Sequence, residues 1–512
     1  MFQIIWCSTR QVVIEVQNRD IYETEFYDIY LNQEFLMRSK KVIQSIHGLC
    51  PDTSYGLEIR QEHSQSDIML FTTDKEFVTL NVKDFGAKGD NLQNDTVFIQ
   101  SAISACPENG RILIPKGIYR VTSLFLKSNL MIELAKDAII SVLTDSTQFP
   151  IFPGLIESYD EEEEYNLGTW EGNPLDMFTG ILTGVNVSNV IICGQGTIEG
   201  NASYENWWKD AKKKKRAFRP RLLFLNHCSH VIVQGITFQN SPSWCMHPYF
   251  SSNLRFLDLT IVNPKDSPNT DGLDPESCKD VEILGCYFSL GDDCIALKSG
   301  KIYMGGKYKT PSENIIIRQC YMRDGHGSIT IGSEMSGGVK NILVKDCRFF
   351  HTDRGLRIKT RRGRGMDGVI DQIEFNHVIM DHVMTPIVIN AFYFCDPDGH
   401  SVYVSTKEPL DVDERTPIIG SLMFQNIRCS NCHVACAFIY GLPEMKIKKI
   451  IMKNISFEYA ENPVKGFPAM MDGIHEMSRG GILAYNIEEL ELIQVEIAGE
   501  KITVKDAGRS LI

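Results

Sequence analysis

Basic residues are in deficit in this chain. Lys and Arg number 52 against 65 Asp and Glu, a net charge of −13 over 512 residues, which argues against a general nucleic-acid binder or a membrane-surface protein. No apolar run approaches the length of a membrane span. The opening Met1-Phe-Gln-Ile-Ile-Trp-Cys7 lacks a basic segment, and its apolar run is too short for a secretory leader. A cytoplasmic location is the expectation on that ground, and a secreted or periplasmic one if the sequence starts after a removed leader. The 15 cysteines are odd in number and scattered, which argues against a disulfide scaffold and for a reducing compartment. Helical periodicity is missing too. What is present is strand after strand, in a chain long enough for one large repeat domain and one small domain.

Residues 1–75 read as the small domain. Arg10-Gln-Val-Val-Ile-Glu-Val-Gln17 and Tyr55-Gly-Leu-Glu-Ile-Arg60 alternate with the period of two that a half-buried strand requires. Leu49-Cys-Pro-Asp-Thr-Ser-Tyr55 resembles the tyrosine corner of a fibronectin-type-III-like β-sandwich, with any other small β domain as the alternative.

Residues 76–512 read as a repeat domain. From Leu130 one phrase recurs: a polar residue, a second polar residue, an apolar anchor and then alternation. It appears as Ser188-Asn-Val-Ile-Ile, Ser229-His-Val-Ile-Val, Ser252-Asn-Leu-Arg-Phe, Lys279-Asp-Val-Glu-Ile, Glu313-Asn-Ile-Ile-Ile and Lys340-Asn-Ile-Leu-Val, and it continues to Glu488. The anchors Leu254, Val281, Ile315, Ile342 and Ile373 stand 27, 34, 27 and 31 residues apart. An all-strand repeat of this size predicts a parallel β-helix, because no coil can bury its inner face alone and each new coil pairs with the last at ~4.8 Å. Cys286, Cys320 and Cys347 each fall five residues after an anchor, where other coils carry Ile236, Leu259, Val378, Ile427, Ile455 and Val495. They are expected to form a core column and not a metal site. Tyr159-Asp-Glu-Glu-Glu-Glu-Tyr165 and the segment from Trp207 through Lys212–Lys215 to Arg216 break the ladder as long loops, read either as solvated charge or as groove walls.

Aligning the coils on Ile295, Ile329 and Leu356 puts Asp292 level with His326 and Asp353, Ala296 with Thr330 and Arg357, and Lys298 with Gly332 and Lys359. Matching Leu273 to Ile295 brings Asp271 level with Asp293. One outward stripe then carries Asp271, Asp292, Asp293, His326, Arg357 and Lys359. Any single member is more often a solvated side chain than a catalyst. Several carboxylates on adjacent coils oppose one another's ionisation, and such costs concentrate at functional sites. A carboxyl among carboxylates retains its proton and acts as a general acid, while an ionised neighbour draws a proton from water. Arg357 and Lys359 suit an anionic ligand. The basic run through Arg354, Arg361, Arg362 and Arg364 points the same way, with a solvated basic loop as the alternative.

Asn269-Thr-Asp271, Gly291-Asp-Asp293, Gly325-His-Gly327 and Arg357-Ile-Lys359 in that order resemble the four-motif signature of glycoside hydrolase family 28, the polygalacturonases. The resemblance runs from about residue 80 to about residue 500. It opens on Asp84-Phe-Gly-Ala-Lys-Gly-Asp90 and includes Asn240-Ser-Pro-Ser-Trp244 and Gly332-Ser-Glu-Met-Ser-Gly337, which look like bacterial members. It implies an all-β, right-handed parallel β-helix and hydrolysis of α-1,4-galacturonosyl bonds with inversion. It also implies Asp292 as general acid, Asp271 and Asp293 activating water, and His326 supporting the acid or positioning the +1 sugar. Arg357 and Lys359 would hold the galacturonate carboxylate, and Asn269 and Tyr393 would contact substrate. No metal and no cofactor are implied, the partner is galacturonan or an oligogalacturonide, and the oligomeric state is open.

The small N-terminal domain and long insertions resemble bacterial exo-polygalacturonases, so exo action is expected. The alternatives are an endo-polygalacturonase, a rhamnogalacturonan hydrolase, and a pectate lyase in which Asp271, Asp274, Asp292 and Asp293 bind Ca²⁺. A non-catalytic carbohydrate-binding β-helix is the alternative of a different class.

Overall fold

The computed structural model describes residues 2–18, 20–61, 67–157, 164–502 and 510–511. At its N-terminal end two antiparallel sheets face each other. Strands Phe2–Cys7, Gln11–Val16 and Ile43–His47 form one, and Glu23–Leu31, Glu34–Lys41, Ser54–Arg60 and Asp67–Thr72 form the other. Val12, Ile14, Tyr27, Ile29, Ile46 and Leu57 fill the space between them. The Tyr55 hydroxyl accepts the Cys50 N–H at 2.8 Å, the tyrosine-corner bond that the sequence predicts.

This β-sandwich docks on the flank of the larger domain. Trp6, Val13, Val42 and Ile43 pack against Leu257 and Leu284. Lys41 donates to Asp258 at 2.7 Å, and Arg318 pairs with Glu15.

The larger domain is a right-handed parallel β-helix. Its coils begin at Thr79–Asn81, ahead of the stretch where the repeat phrase first reads clearly, and helix Thr96–Ala105 covers the open end with Ile99, Ala102 and Ile103 buried. The register is the expected one: Leu254 pairs with Val281, then Ile315, Ile342 and Ile373. Cys286, Cys320 and Cys347 are fully buried in the core column, and all 15 cysteines are free thiols.

The backbone explains the repeat phrase. In the coils anchored from Val190 to Ile373 the residue before the anchor has a left-handed conformation: Asn189, His230, Asn253, Asp280, Asn314, Asn341 and Gln372 have φ between 54° and 57°. The residue before the cysteine slot does the same at Asp258, Gln319, Asp346, His377, Asn426, Asn454 and Gln494, with φ of 51–57°. Asn and Asp tolerate this region best after Gly. Side chains also link coil to coil, Asn341 donating to Asn314 at 2.6 Å and Asn314 to Asp280 at 2.9 Å.

The long loops divide. In the segment beginning at Trp207, Trp207 and Trp208 are buried, with Trp207 packed edge-on against Phe149 and Phe178, whereas Lys212–Lys215 are exposed. Of the acidic run, residues 159–163 lie outside the described residues. Glu164 accepts from Tyr308 at 2.6 Å and pairs with Lys307. No helix among the described residues is long and apolar enough to cross a membrane.

Asn341→Val puts a β-branched residue where φ is 55° and removes the ladder bond. It is expected to cost about 1–2 kcal/mol, whereas Asn341→Gly, which keeps the backbone free, costs about half of that. Thermal unfolding of both variants checks the order.

Candidate active site

The third face of the helix carries short parallel strands: Leu182–Val185, Leu223–Asn226 and Met246–Tyr249, then Ile295–Leu297, Ile329–Gly332, Arg354–Lys359 and Thr385–Asn390. Isolated bridges Met246↔Leu273↔Ile295 and Tyr249↔Glu276↔Lys298 join the two groups. Inward residues such as Ile295, Ile329 and Leu356 belong to the core, so their neighbours face outward in two rows. One row runs Phe224, His247, Asp274, Ala296, Thr330, Arg357. The other runs Asn226, Tyr249, Glu276, Lys298, Gly332, Lys359.

Asp271, Asp292 and Asp293 stand at the start of these strands, and one oxygen of each lies within 4.8 Å of the others. Their surroundings differ. Asp293 is fully buried and receives Arg357 Nη1 at 3.0 Å on one oxygen and Lys359 Nζ at 2.8 Å on the other. Burial alone would push its carboxyl up, but Lys359 and Arg357 outweigh burial and hold it far below the usual carboxylate range. Asp271 is buried and has no ion-pair partner among the described residues. Burial, then Asp292 and Asp274, push its carboxyl well up. Asp292 is half-buried and accepts the Asp293 N–H at 2.9 Å.

The glycines of these motifs are sterically required. A Cβ on Gly325 would meet the Asp292 carbonyl oxygen at 2.6 Å. One on Gly327 would meet Thr330 Oγ1 at 2.3 Å and an Asp293 oxygen at 2.9 Å. The coil carrying His326 can approach the aspartates only because both flanking positions lack side chains. His326 is exposed and shares Nδ1 with Asp353 at 2.9 Å. That bond raises its pKa above the ordinary imidazole value, burial opposes the shift, and Asp292 adds to it.

Tyr393 lies with its ring 5.6 Å from Lys359 Nζ. Asn269 joins through Arg219, whose Nη2 donates to Asn269 Oδ1 at 2.6 Å. The structure thus brings Asp271, Asp292, Asp293, Arg357 and Lys359 into one cluster, with Tyr393 beside Lys359 and Asn269 held by Arg219.

Sequence reading missed a second layer. Lys298 is buried, donates to Glu334 at 3.0 Å and lies 4.3 Å from the centre of the Trp244 ring. Glu276 meets His247 at 2.8 Å, and burial pushes Glu276 up to about 8. Both Asp274 oxygens are buried without a hydrogen-bond partner among the described residues, and burial pushes that carboxyl well up. Lys298 stands level with Lys359, so its position was readable; its partners were not.

The upstream end of this face is covered. Although they point outward, Phe224, His247, Tyr249, Asp274 and Glu276 are at most 1% exposed. Residues 164–177 lie over them: Asn226 donates to the Asn166 carbonyl at 2.9 Å, Arg221 to Thr169 at 3.1 Å, and Lys301 N–H to Gly172 at 3.0 Å. Trp170 stacks on Phe218 at 4.7 Å and on Trp244 at 6.5 Å.

The basic run needs correction. Arg361, Arg362 and Arg364 are neither solvated nor free for a ligand. Each is at most 4% exposed. Arg361 pairs with Asp398, Arg362 with Glu444, and Arg364 with Asp396 at 2.6 Å, so the run ties down later loops. Arg354 donates to Asp353 and to the Phe467 carbonyl.

Residues 164–462 match the family described as "Glycosyl hydrolases family 28", and residues 79–214 match "Rhamnogalacturonase A/epimerase, pectate lyase-like". The chain is 30% identical over 390 residues to a probable polygalacturonase of Vitis vinifera, covering 75% of this chain and 74% of that one. It is 30% identical over 313 residues to an endo-polygalacturonase of Pectobacterium parmentieri, 58% of this chain and 72% of that one. Its structure resembles that of a hyperthermoactive exopolygalacturonase from Thermotoga maritima with a TM-score of 0.68 and 26% identity, over 83% of this chain and 94% of that one.

Two outcomes test the electrostatics. Lys298→Met leaves Glu334 buried without its cation and is expected to cost about 3–5 kcal/mol in denaturant unfolding, with part recovered by adding Glu334→Gln. Asp353→Asn removes the bond that favours the His326 imidazolium, so the His326 titration midpoint falls; NMR of its ring protons reads the shift.

Proposed function

Since the chain belongs to glycosyl hydrolases family 28, we propose that it is a polygalacturonase that removes single galacturonate units from the non-reducing ends of oligogalacturonides. The observation that carries exo action is the covered floor upstream of the aspartates. Segment 164–177 is bonded over this floor, where Phe224, His247 and Tyr249 are at most 1% exposed, and we read it as the wall that ends the groove on that side. The likeness to the Thermotoga exopolygalacturonase supports the same reading.

In this reading the terminal unit lies on the covered side and the leaving unit lies over Arg357 and Lys359. Substrate draws these cations partly away from Asp293, towards its own carboxylate. Asp292 gives its proton to the glycosidic oxygen, and the ionised Asp293 takes one from the attacking water, which Asp271 helps to hold. His326, whose imidazolium form Asp353 favours, serves the leaving side. Tyr393 and Asn269 line the sugar.

Inversion requires room for water between the acid and base carboxyls, usually about 6.5–9.5 Å. Oxygens of Asp292 and Asp293 approach within 4.8 Å. Asp271 stands within the same distance of both, so the anomer of the product decides between inversion and retention.

Digestion of polygalacturonate is expected to release only the monomer from the earliest time points, and an early spread of oligomers would mean endo action. Proton NMR of fresh product should show the β-anomer first; the α-anomer would mean retention. Asp292→Asn is expected to lower kcat by about 10²–10⁴-fold with little change in KM.

A further inference from the structure

The tip of the covering segment is a tight turn with an unusual occupant. Trp170 and Asn173 exchange both backbone hydrogen bonds, at 3.0 and 3.1 Å. Glu171 and Gly172 are left at the corner with φ of 46° and 72°. A turn with two left-handed corners favours Asn, Asp or Gly at the first position. The second position is glycine by necessity, because a Cβ there would meet Lys301 N at 2.8 Å and Glu334 Cβ at 2.9 Å. Glu171 is therefore a poor choice for closing the turn, and its steric cost calls for another use of the side chain.

Its carboxyl is partly buried and makes no hydrogen bond or ion pair with any described residue. It lies in the field of Glu334, Lys301 and Lys298; burial and Glu334 push its pKa up, and the two lysines offset them. The Arg219 guanidinium lies 5.3 Å from the centre of the Trp170 ring and donates to Asn269, two residues before Asp271, so the turn tip borders the aspartate cluster on its covered side. Arg219 Nε is itself a buried donor without a partner among the described residues.

We infer that Glu171 reads the non-reducing end of the chain: its carboxylate accepts the free 4-hydroxyl of the terminal galacturonate and bars a further unit. This rests on the exo reading above. An internal unit differs from a terminal one at this position only in having its 4-oxygen in a glycosidic bond, with no proton to donate. A carboxylate acceptor at the closed end distinguishes the two, and a buried acceptor left unpaired penalises the wrong one. A further galacturonate would also bring its own carboxylate against Glu171 and Glu334.

The test compares trigalacturonate with a trimer whose terminal unit is 4-deoxy-4,5-unsaturated and has no 4-hydroxyl. Wild-type enzyme is expected to favour the hydroxylated trimer by on the order of 10- to 100-fold in kcat/KM. Glu171→Gln and Glu171→Asn are expected to lose most of that preference through the hydroxylated trimer alone. Glu171→Asn suits the turn better and is expected to keep or raise the thermal unfolding midpoint. If both variants keep the preference, or both trimers slow equally, the inference is overturned while exo action stands. If wild-type enzyme releases a spread of oligomers, exo action fails and the inference with it.

Discussion

Main-chain pairing of each strand with its counterpart one coil on is the constraint from which the rest follows. Residues at one level of a parallel β-helix cannot choose their neighbours; they face whatever the adjacent coils carry at that level. Facing inward, this gives the core columns of Leu254, Val281, Ile315, Ile342 and Ile373. Facing outward, it places Arg357 and Lys359 two coils from the strand that Asp293 precedes. Between them stand Thr330 and Gly332, small enough for both cations to reach back across the intervening coil.

The ladder forces charges together, and local pairing then makes them unequal. Asp293 has two cations and stays ionised, Glu334 has Lys298, and Asp274 has no direct partner among the described residues. The result is a set of close carboxyls with widely separated tendencies to hold a proton, which is the condition for acid and base to coexist at one pH. For Asp293 and Glu334, whose pKa is depressed in the fold, the linked stability is present above the unfolded carboxylate value and is lost as pH falls towards the folded one.

The features legible in the sequence are those the ladder controls. The cysteine column, the anchor register and the stripe from Asp271 to Lys359 all follow from counting residues, because level is a property of the main chain. The covering segment, Arg219 and the second layer at Glu334 were not legible, because a loop chooses partners by where it lands. Arg361, Arg362 and Arg364 show the difference. Counted along the chain they look like a cationic surface, but Asp396, Asp398 and Glu444 arrive from later loops and neutralise them. The N-terminal sandwich was legible through one local rule, since the bond from Cys50 to Tyr55 spans only five residues.

The covered floor is ionic, and that bears on what it does. A floor needed only as packing under segment 164–177 would be as stable, or more so, with apolar residues in place of the pairs His247–Glu276 and Lys298–Glu334, because buried pairs seldom recover their desolvation cost. Phe224 and Tyr249 in the same rows show that apolar and aromatic residues fit there. The charged members lie next to the aspartates, and Lys298 is the cation in that layer whose field reaches Asp271, Asp274, Asp293 and Glu334 together. Covering it removes water that would otherwise screen that field. Segment 164–177 therefore also strengthens the electrostatics of the aspartate cluster, so that cover and proton control are coupled through one loop.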